Sequence, residues 1–339
     1  MAGFFIVSDD EEAAANLPSG DYDIPLVLQD RTFDQNGQLV YLNNGMMEQM
    51  NGFLGNQLLV NGQPDFTLPV ATRAYRLRLL NGSNSRIYKL GWEDDTPFTV
   101  IGSDGGLLEK PIQRPYLTLA PAERVEIWVD FNGRSLGSEL KMVSLPFSTG
   151  SFESGRFPIL TARIEQEATD NVTLPAQLST PNFLNPNDAE RTRTVALEMQ
   201  MGRGWTLNGR TFEETAVAPD EIIPLDALEI WEFSNENAGG GGMMGGGMMN
   251  MSLPHPIHMH GESFQVIDRQ ISNDGRAAWE TLSEGFVDEG WKDTVLVMPG
   301  ERVKVLRRFG DYTGLFLYHC HNLEHEDMGM MRNFRVDAV

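Results

Sequence analysis

Apolar and polar residues alternate with a period of two through much of the chain. Tyr75, Leu77 and Leu79 alternate with Arg76 and Arg78, and Val125, Ile127 and Val129 alternate with Glu126, Trp128 and Asp130. That period suits half-buried antiparallel strands, one face in a core and the other in water. Helical periodicity is scarce. Turn-forming pairs recur between the runs, at Asn36-Gly37, Asn61-Gly62, Asn81-Gly82, Asn132-Gly133 and Asn208-Gly209. Many short strands between closely spaced turns predict a sandwich or barrel of the all-β class.

The pattern occurs twice. Leu119-Ala120-Pro121-Ala122-Glu123-Arg124-Val125-Glu126-Ile127 returns as Val297-Met298-Pro299-Gly300-Glu301-Arg302-Val303-Lys304-Val305. In the same order, Val60-Asn61-Gly62 is echoed by Leu207-Asn208-Gly209, and Phe98-Thr99-Val100-Ile101 by Phe264-Gln265-Val266-Ile267. Three matches in order predict a tandem duplication of one β-domain. A chain of 339 residues suits two sandwiches of about 150 residues each. The expected division is 16–165 and 194–339, with 166–193 as a linker marked by Pro175, Pro181 and Pro186. Residues 1–15 are expected to be the tail of a preceding domain, beginning as a leftover edge strand.

Charge narrows the possible partners. Lys and Arg total 26 against 48 Asp and Glu, a net charge of −22. This argues against nucleic acid or an anionic membrane and for a self-repelling surface that attracts cations, as in an acidic, salt-adapted or extracellular protein. The apolar run at residues 4–7 gives way at once to Asp9, Asp10, Glu11 and Glu12. That is unlike a secretory signal, and no later segment reaches membrane-spanning length. The single cysteine, Cys320, excludes an internal disulfide and leaves packing, reactivity or metal binding as its use.

The candidate chemistry is concentrated in the second repeat, because all six histidines and the cysteine lie between His255 and His325. Where the second repeat has residues 255–260, the first has Gly91-Trp92-Glu93-Asp94-Asp95, so the first repeat is expected to hold no histidine-ligated metal. The two motifs are His255-Pro256-Ile257-His258-Met259-His260-Gly261, and His319-Cys320-His321 followed by His325 and Met330. If residues 316–321 are extended, His319 and His321 point one way and Cys320 the other. The same alternation puts His258 and His260 together with Met259 turned away, giving four imidazoles that converge from two strands. On the opposite face, His255, His325 and Met330 join Cys320. Two imidazoles, a thiolate and a weak axial thioether form the blue-copper ligand set, suited to one-electron transfer. A structural zinc site usually draws on several thiolates. Isolated histidines and buried cysteines are mostly packing residues, but here all of them fall in two short clusters.

These motifs resemble the carboxy-terminal copper motifs of the multicopper oxidases, the family of laccases, spore-coat and bilirubin oxidases and bacterial cuprous oxidases. There the first motif runs His-x-x-His-x-His-Gly, and the second runs His-Cys-His-x-x-x-His with an axial Met or Leu beyond it. Both are intact here. The resemblance implies that His255, Cys320, His325 and Met330 hold a type 1 copper, His258 a type 2 copper, and His260, His319 and His321 a type 3 pair. It extends to Gly290-Trp291-Lys292-Asp293-Thr294-Val295, to Leu323-Glu324-His325-Glu326-Asp327 and to Leu80-Asn81-Gly82-Ser83. It implies cupredoxin-like Greek-key sandwiches, the second and third of three domains. The family's three-copper cluster takes eight histidines, four of them from a first domain, and only four are available here. Met1-Ala2-Gly3-Phe4-Phe5 resembles the end of that first domain, so the expectation is a piece of a longer oxidase that the first domain completes.

The activity implied is laccase-like. One-electron oxidation of phenols, aromatic amines or metal ions such as Cu(I) at the type 1 copper would be coupled to reduction of dioxygen to water at the cluster. Cys320 is expected to pass electrons onward and Glu326 to relay protons, with a structural acid as the other reading of Glu326. Met243, Met244, Met248, Met249 and Met251, set among glycines just before His255, read either as a soft lid for Cu(I) or apolar reductants or as a plain glycine-rich loop. A blue-copper electron carrier or copper-binding protein without oxygen reduction stays open as the alternative. Family habit implies the periplasm or the outside of the cell.

Overall fold

A computed structural model describes residues 2–43, 45–150, 152–169, 172–200, 202–236 and 253–338. The period-two runs are strands, and the two repeats build the same pair of sheets. In the first repeat one sheet runs Gln57–Val60, Asp23–Phe33, Ala74–Asn81, Arg124–Asp130, Phe98–Ser103 and Gly106–Arg114, with Leu39–Val40 also on Asp23–Phe33. The facing sheet runs Thr67–Ala71, Phe157–Gln166, Glu139–Ser144, Tyr88–Trp92 and Leu117–Leu119. The second repeat has the same strand order but, among the described residues, no counterpart of Leu39–Val40 or Gly106–Arg114. Its sheets are Gly204–Leu207, Arg191–Gln200, Leu228–Ser234, Glu301–Arg308 and Gln265–Ile271, and Ile222–Pro224, Met331–Asp337, Gly314–Cys320, His255–Met259 and Thr294–Val297.

The echoed sequences sit at equivalent turns and make equivalent bonds. Asn61 and Asn208 have φ of 50° and 53°, each followed by a glycine at positive φ. Their side chains accept from Val27 N and Ala196 N at 2.8 and 2.7 Å. Glu123 and Glu301 each cap the turn before their own strand, accepting from Ala120 N and Met298 N at 2.8 Å.

Four expectations change. The sheets are mixed, not purely antiparallel: Asp23–Phe33 is parallel to Ala74–Asn81 and Arg191–Gln200 to Leu228–Ser234, with a matching parallel pair in each facing sheet. The long connections between these partners permit crossovers that tight hairpins do not. Ala74–Asn81 is buried on both faces, with Arg76 and Arg78 only 3% and 6% exposed. Both guanidiniums are neutralised by Glu12, Glu126 and Asp23, which is how charge enters a protein interior. Glu12 comes from a short helix, Asp10–Ala14, and residues 2–9 form no strand, so the leftover edge strand is not there. Finally, the strands Phe157–Gln166 and Arg191–Gln200 overlap both ends of the expected 166–193 linker, and the stretch between them does not hang free: Leu178 is in the first core and Ser179 Oγ donates to Leu108 O at 2.9 Å.

Candidate metal centre

The strand His255–Met259 is the middle of the arrangement, with Thr294–Val297 on one side and Gly314–Cys320 on the other. The register sets His258 beside His319 and Ile257 beside Cys320. Alternation then separates two clusters. Met259 and Cys320 point into the second repeat's core, both fully buried, and His258, His260, His319 and His321 share the other face.

In the core-side cluster, His255, Cys320 and His325 are all fully buried. His255 Nδ1 and His325 Nδ1 lie 3.5 and 3.7 Å from Cys320 Sγ, and 3.2 Å from each other. Met330 is buried in the same core and joined to the cluster through its backbone, its N–H donating to His325 O and its carbonyl accepting from Cys320 N. Burial pushes the Cys320 thiol up and His325 down to about 3, and holds His255 well below the usual histidine range. Without a metal the cluster is therefore a thiol and two neutral imidazoles. Neutral imidazoles facing a buried sulfur at mutual distances under 4 Å, with the Asn322 N–H donating to that sulfur at 3.4 Å, are a donor set that fits a soft transition metal. His255 Nε2, on the far side of its ring, has no hydrogen-bond partner among the described residues.

The second cluster is tied by carbonyls that select its tautomers. His258 Nδ1 donates to Asp293 O at 2.9 Å, and His319 Nδ1 donates to Cys320 O at 3.0 Å. That leaves Nε2 of each free to act as a ligand atom. His319 Nε2 stands 3.2 Å from His260 Nε2, and ligand atoms of His258, His260 and His319 all lie within 4.8 Å of one another. His321 joins more loosely, its ring 5.3 Å from that of His319 and 5.9 Å from that of His258, and it is not in that trio. Burial lowers His319 to about 3 and His321 to about 4. Glu326 Oε2 is 3.4 Å from His319 Nδ1, and burial raises its carboxyl.

Several residues of the site were not legible in the sequence. Trp205 packs its ring 4.7 Å from His255 and 4.6 Å from His325. The one signal for it was the echo itself, in which Trp205 stands three places before Asn208, as Leu58 does before Asn61. Asp293, already noted within a motif, is clasped by both terminal nitrogens of Arg124 at 2.7 and 2.6 Å, so the first repeat braces the backbone that holds His258. The five methionines of residues 243–251 lie outside the described residues.

A family profile described as multicopper oxidase matches residues 179–339. The chain is 34% identical to a laccase of Bacillus stratosphericus over 98% of its own length and 66% of that protein's. It is 32% identical to a bilirubin oxidase of Albifimbria verrucaria, covering all of this chain and 57% of the relative. The crystal structure of a variant of the McoA multicopper oxidase of Aquifex aeolicus superposes with a TM-score of 0.80 at 33% identity, over 98% of this chain and 70% of that one. The chain thus spans under two thirds of the length of these curated relatives.

Proposed function

The chain belongs to the multicopper oxidase family, and from that premise we propose that it supplies the type 1 copper site and half of the trinuclear cluster of a laccase-like oxidase. His255, Cys320, His325 and Met330 hold the type 1 copper in this reading, His258 the type 2 copper, and His260, His319 and His321 the type 3 pair. The observation that carries it is the buried trio of Cys320 Sγ and two imidazole Nδ1 atoms, backed against a second set of imidazoles on the adjoining residues. Copper held there supplies one-electron redox chemistry, which in the whole enzyme couples oxidation of a reductant to reduction of dioxygen to water.

The protein's own residues prepare that chemistry. Burial keeps the ligating imidazoles neutral, as metal binding requires, whereas Cys320 must give up its proton when a metal binds. Cys320 is bonded directly to His319, and its carbonyl also accepts from His319 Nδ1 at 3.0 Å, so the two ligand sets share a covalent and a hydrogen-bonded connection. In this reading Glu326 holds and passes a proton toward the cluster, which its 3.4 Å separation from His319 Nδ1 and its raised carboxyl support.

The remaining cluster histidines come, on this reading, from a cupredoxin-like domain outside these 339 residues, with 16–165 the copper-free sandwich and 194–339 the copper-bearing one. The reductant is a small phenol or aromatic amine. Cu(I) is the second reading, carried by the five thioethers before His255. A periplasmic or extracellular location goes with the family resemblance, and no helix of the described residues is long and apolar enough to cross a membrane. Copper analysis with oxygen uptake tests the assignment. The oxidase should bind about four coppers per functional unit and consume oxygen with a phenolic donor, whereas one blue copper without oxygen uptake would make the protein an electron carrier.

A further inference from the structure

The turn that carries His325, helix Leu323–Asp327, is locked by a residue outside the ligand set. Glu324 is 2% exposed, and both its carboxylate oxygens are filled by groups from the first repeat. Oε1 accepts from the Tyr41 hydroxyl and from Asn84 Nδ2, each at 2.9 Å. Oε2 accepts from Phe53 N at 2.9 Å and from Ser85 Oγ. Residues 45–53 form a strap across this turn, built on the helix Met46–Asn51. It closes on Gly52, at φ +94°, where an added Cβ would stand 2.4 Å from Ser85 Oγ and 2.5 Å from Asn322 Nδ2, so glycine is what allows the approach. Drawn in this far, the strap sets the Met50 carbonyl 3.0 Å from His325 Nε2 and 3.1 Å from Trp205 Nε1. A carbonyl only accepts, so His325 carries its proton on Nε2 and presents a lone pair on Nδ1, toward Cys320 Sγ.

We propose that Glu324 is a positioning residue: by clasping the strap it holds the Met50 carbonyl against His325 and so fixes the tautomer that a metal at Nδ1 requires. The inference rests on the reading of His325 as a copper ligand. A ligating imidazole needs its second nitrogen oriented by a partner, and here that partner is a main-chain carbonyl whose own position depends on a carboxylate one residue from the ligand. The same contact lays the strap over the Nε2 edge of His325. Met46 and Met47, 77% and 54% exposed, are what the strap offers to solvent.

With only six histidines in the chain, imidazole tautomers can be read by nuclear magnetic resonance of isotope-labelled ring nitrogens in the metal-free 339-residue chain. The wild type is expected to show His325 in the Nε2–H form. Glu324→Gln replaces an acceptor oxygen with an amide donor facing the donors of the first repeat, Phe53 N of the strap among them. It should raise the Nδ1–H form about tenfold, equivalent to about 1.4 kcal/mol, and speed amide exchange across residues 46–53. Tyr41→Phe removes one of the four bonds without touching the turn and should move both readouts the same way by less, which keeps the test readable if Glu324→Gln does not fold. An unchanged tautomer in the folded variants, or a mixed tautomer in the wild type, overturns the proposal. Copper loading of the wild type forms a separate arm: no thiolate-to-copper absorption there would remove the ligand reading of His325 while the tautomer result still decided the clasp.

Discussion

The ring of Trp205 stands edge-on to His255 and tilted against His325, and its Nε1 donates to Met50 O. Trp205→Ala therefore removes the wall on which both imidazoles rest. It should lower the stability of the metal-free protein by about 3–5 kcal/mol, measured by denaturant unfolding, and broaden the cupric spectrum of the loaded one. A loss below about 1 kcal/mol with an unchanged spectrum would show that the strand register alone fixes the pocket. The histidines carry a pH signature of their own. Burial lowers His325 and His319 to about 3 and His321 to about 4, against about 6.5 in an unfolded chain. Their folded values are depressed, so the unfolded state takes up protons that the native state refuses. Stability should be full above about pH 6.5 and fall as the pH drops toward about 3, by up to about 1.4 kcal/mol per pH unit for each histidine. Melting temperatures of the metal-free chain across that range check the sign, and a flat profile would contradict the buried, neutral imidazoles.

At the scale of elements, the duplicated turn offers an internal control. Ala122 and Gly300 are equivalent, with φ of 69° and 76°, a left-handed conformation that costs an alanine roughly 1–2 kcal/mol and a glycine far less. Ala122→Gly should therefore raise the melting temperature, with a gain of about 0.5 kcal/mol after the glycine's larger chain entropy is subtracted. A loss would mean that the Ala122 methyl makes packing contacts that outweigh the strain. Elements were the level most legible from sequence. Alternation set the strands, and it correctly split Cys320 from His319 and Met259 from His258, because the side-chain period in a strand is fixed by backbone geometry. The same rule failed at Arg76 and Arg78, which a period-two reading sends to water. Their carboxylate partners Glu12 and Glu126 lie 64 and 50 residues from Arg76 and 66 and 48 from Arg78, and nothing local announces a helix that covers them. Glu324 and Trp205 escaped for the same reason: the groups that define their roles, at Tyr41, Met50 and Phe53, sit 283, 155 and 271 residues away.

At the scale of the whole molecule, the two repeats have one fold and unequal duties. The first has no histidine or cysteine, yet it braces the histidine–cysteine region of the second at three places. Tyr41, Phe53, Asn84 and Ser85 hold Glu324; Arg124 holds Asp293 behind His258; and Asp104 and Glu123 neutralise the buried Lys292 at 3.1 and 3.2 Å. On the proposed reading, that distribution gives the copper-free sandwich a purpose: the turn that carries His325 and the backbone behind His258 are held by side chains of the first repeat. The blue-copper reading of His255, Cys320 and His325 is the centre of the account, and the most direct measurement is the visible and electron paramagnetic resonance spectrum of the copper-loaded chain beside that of Cys320→Ser. The wild type should show one thiolate-bound cupric centre per chain, with intense visible absorption and small hyperfine splitting, and Cys320→Ser should lose that signal while keeping its fold. Copper bound without thiolate absorption, or a blue signal that survives Cys320→Ser, would contradict the assignment.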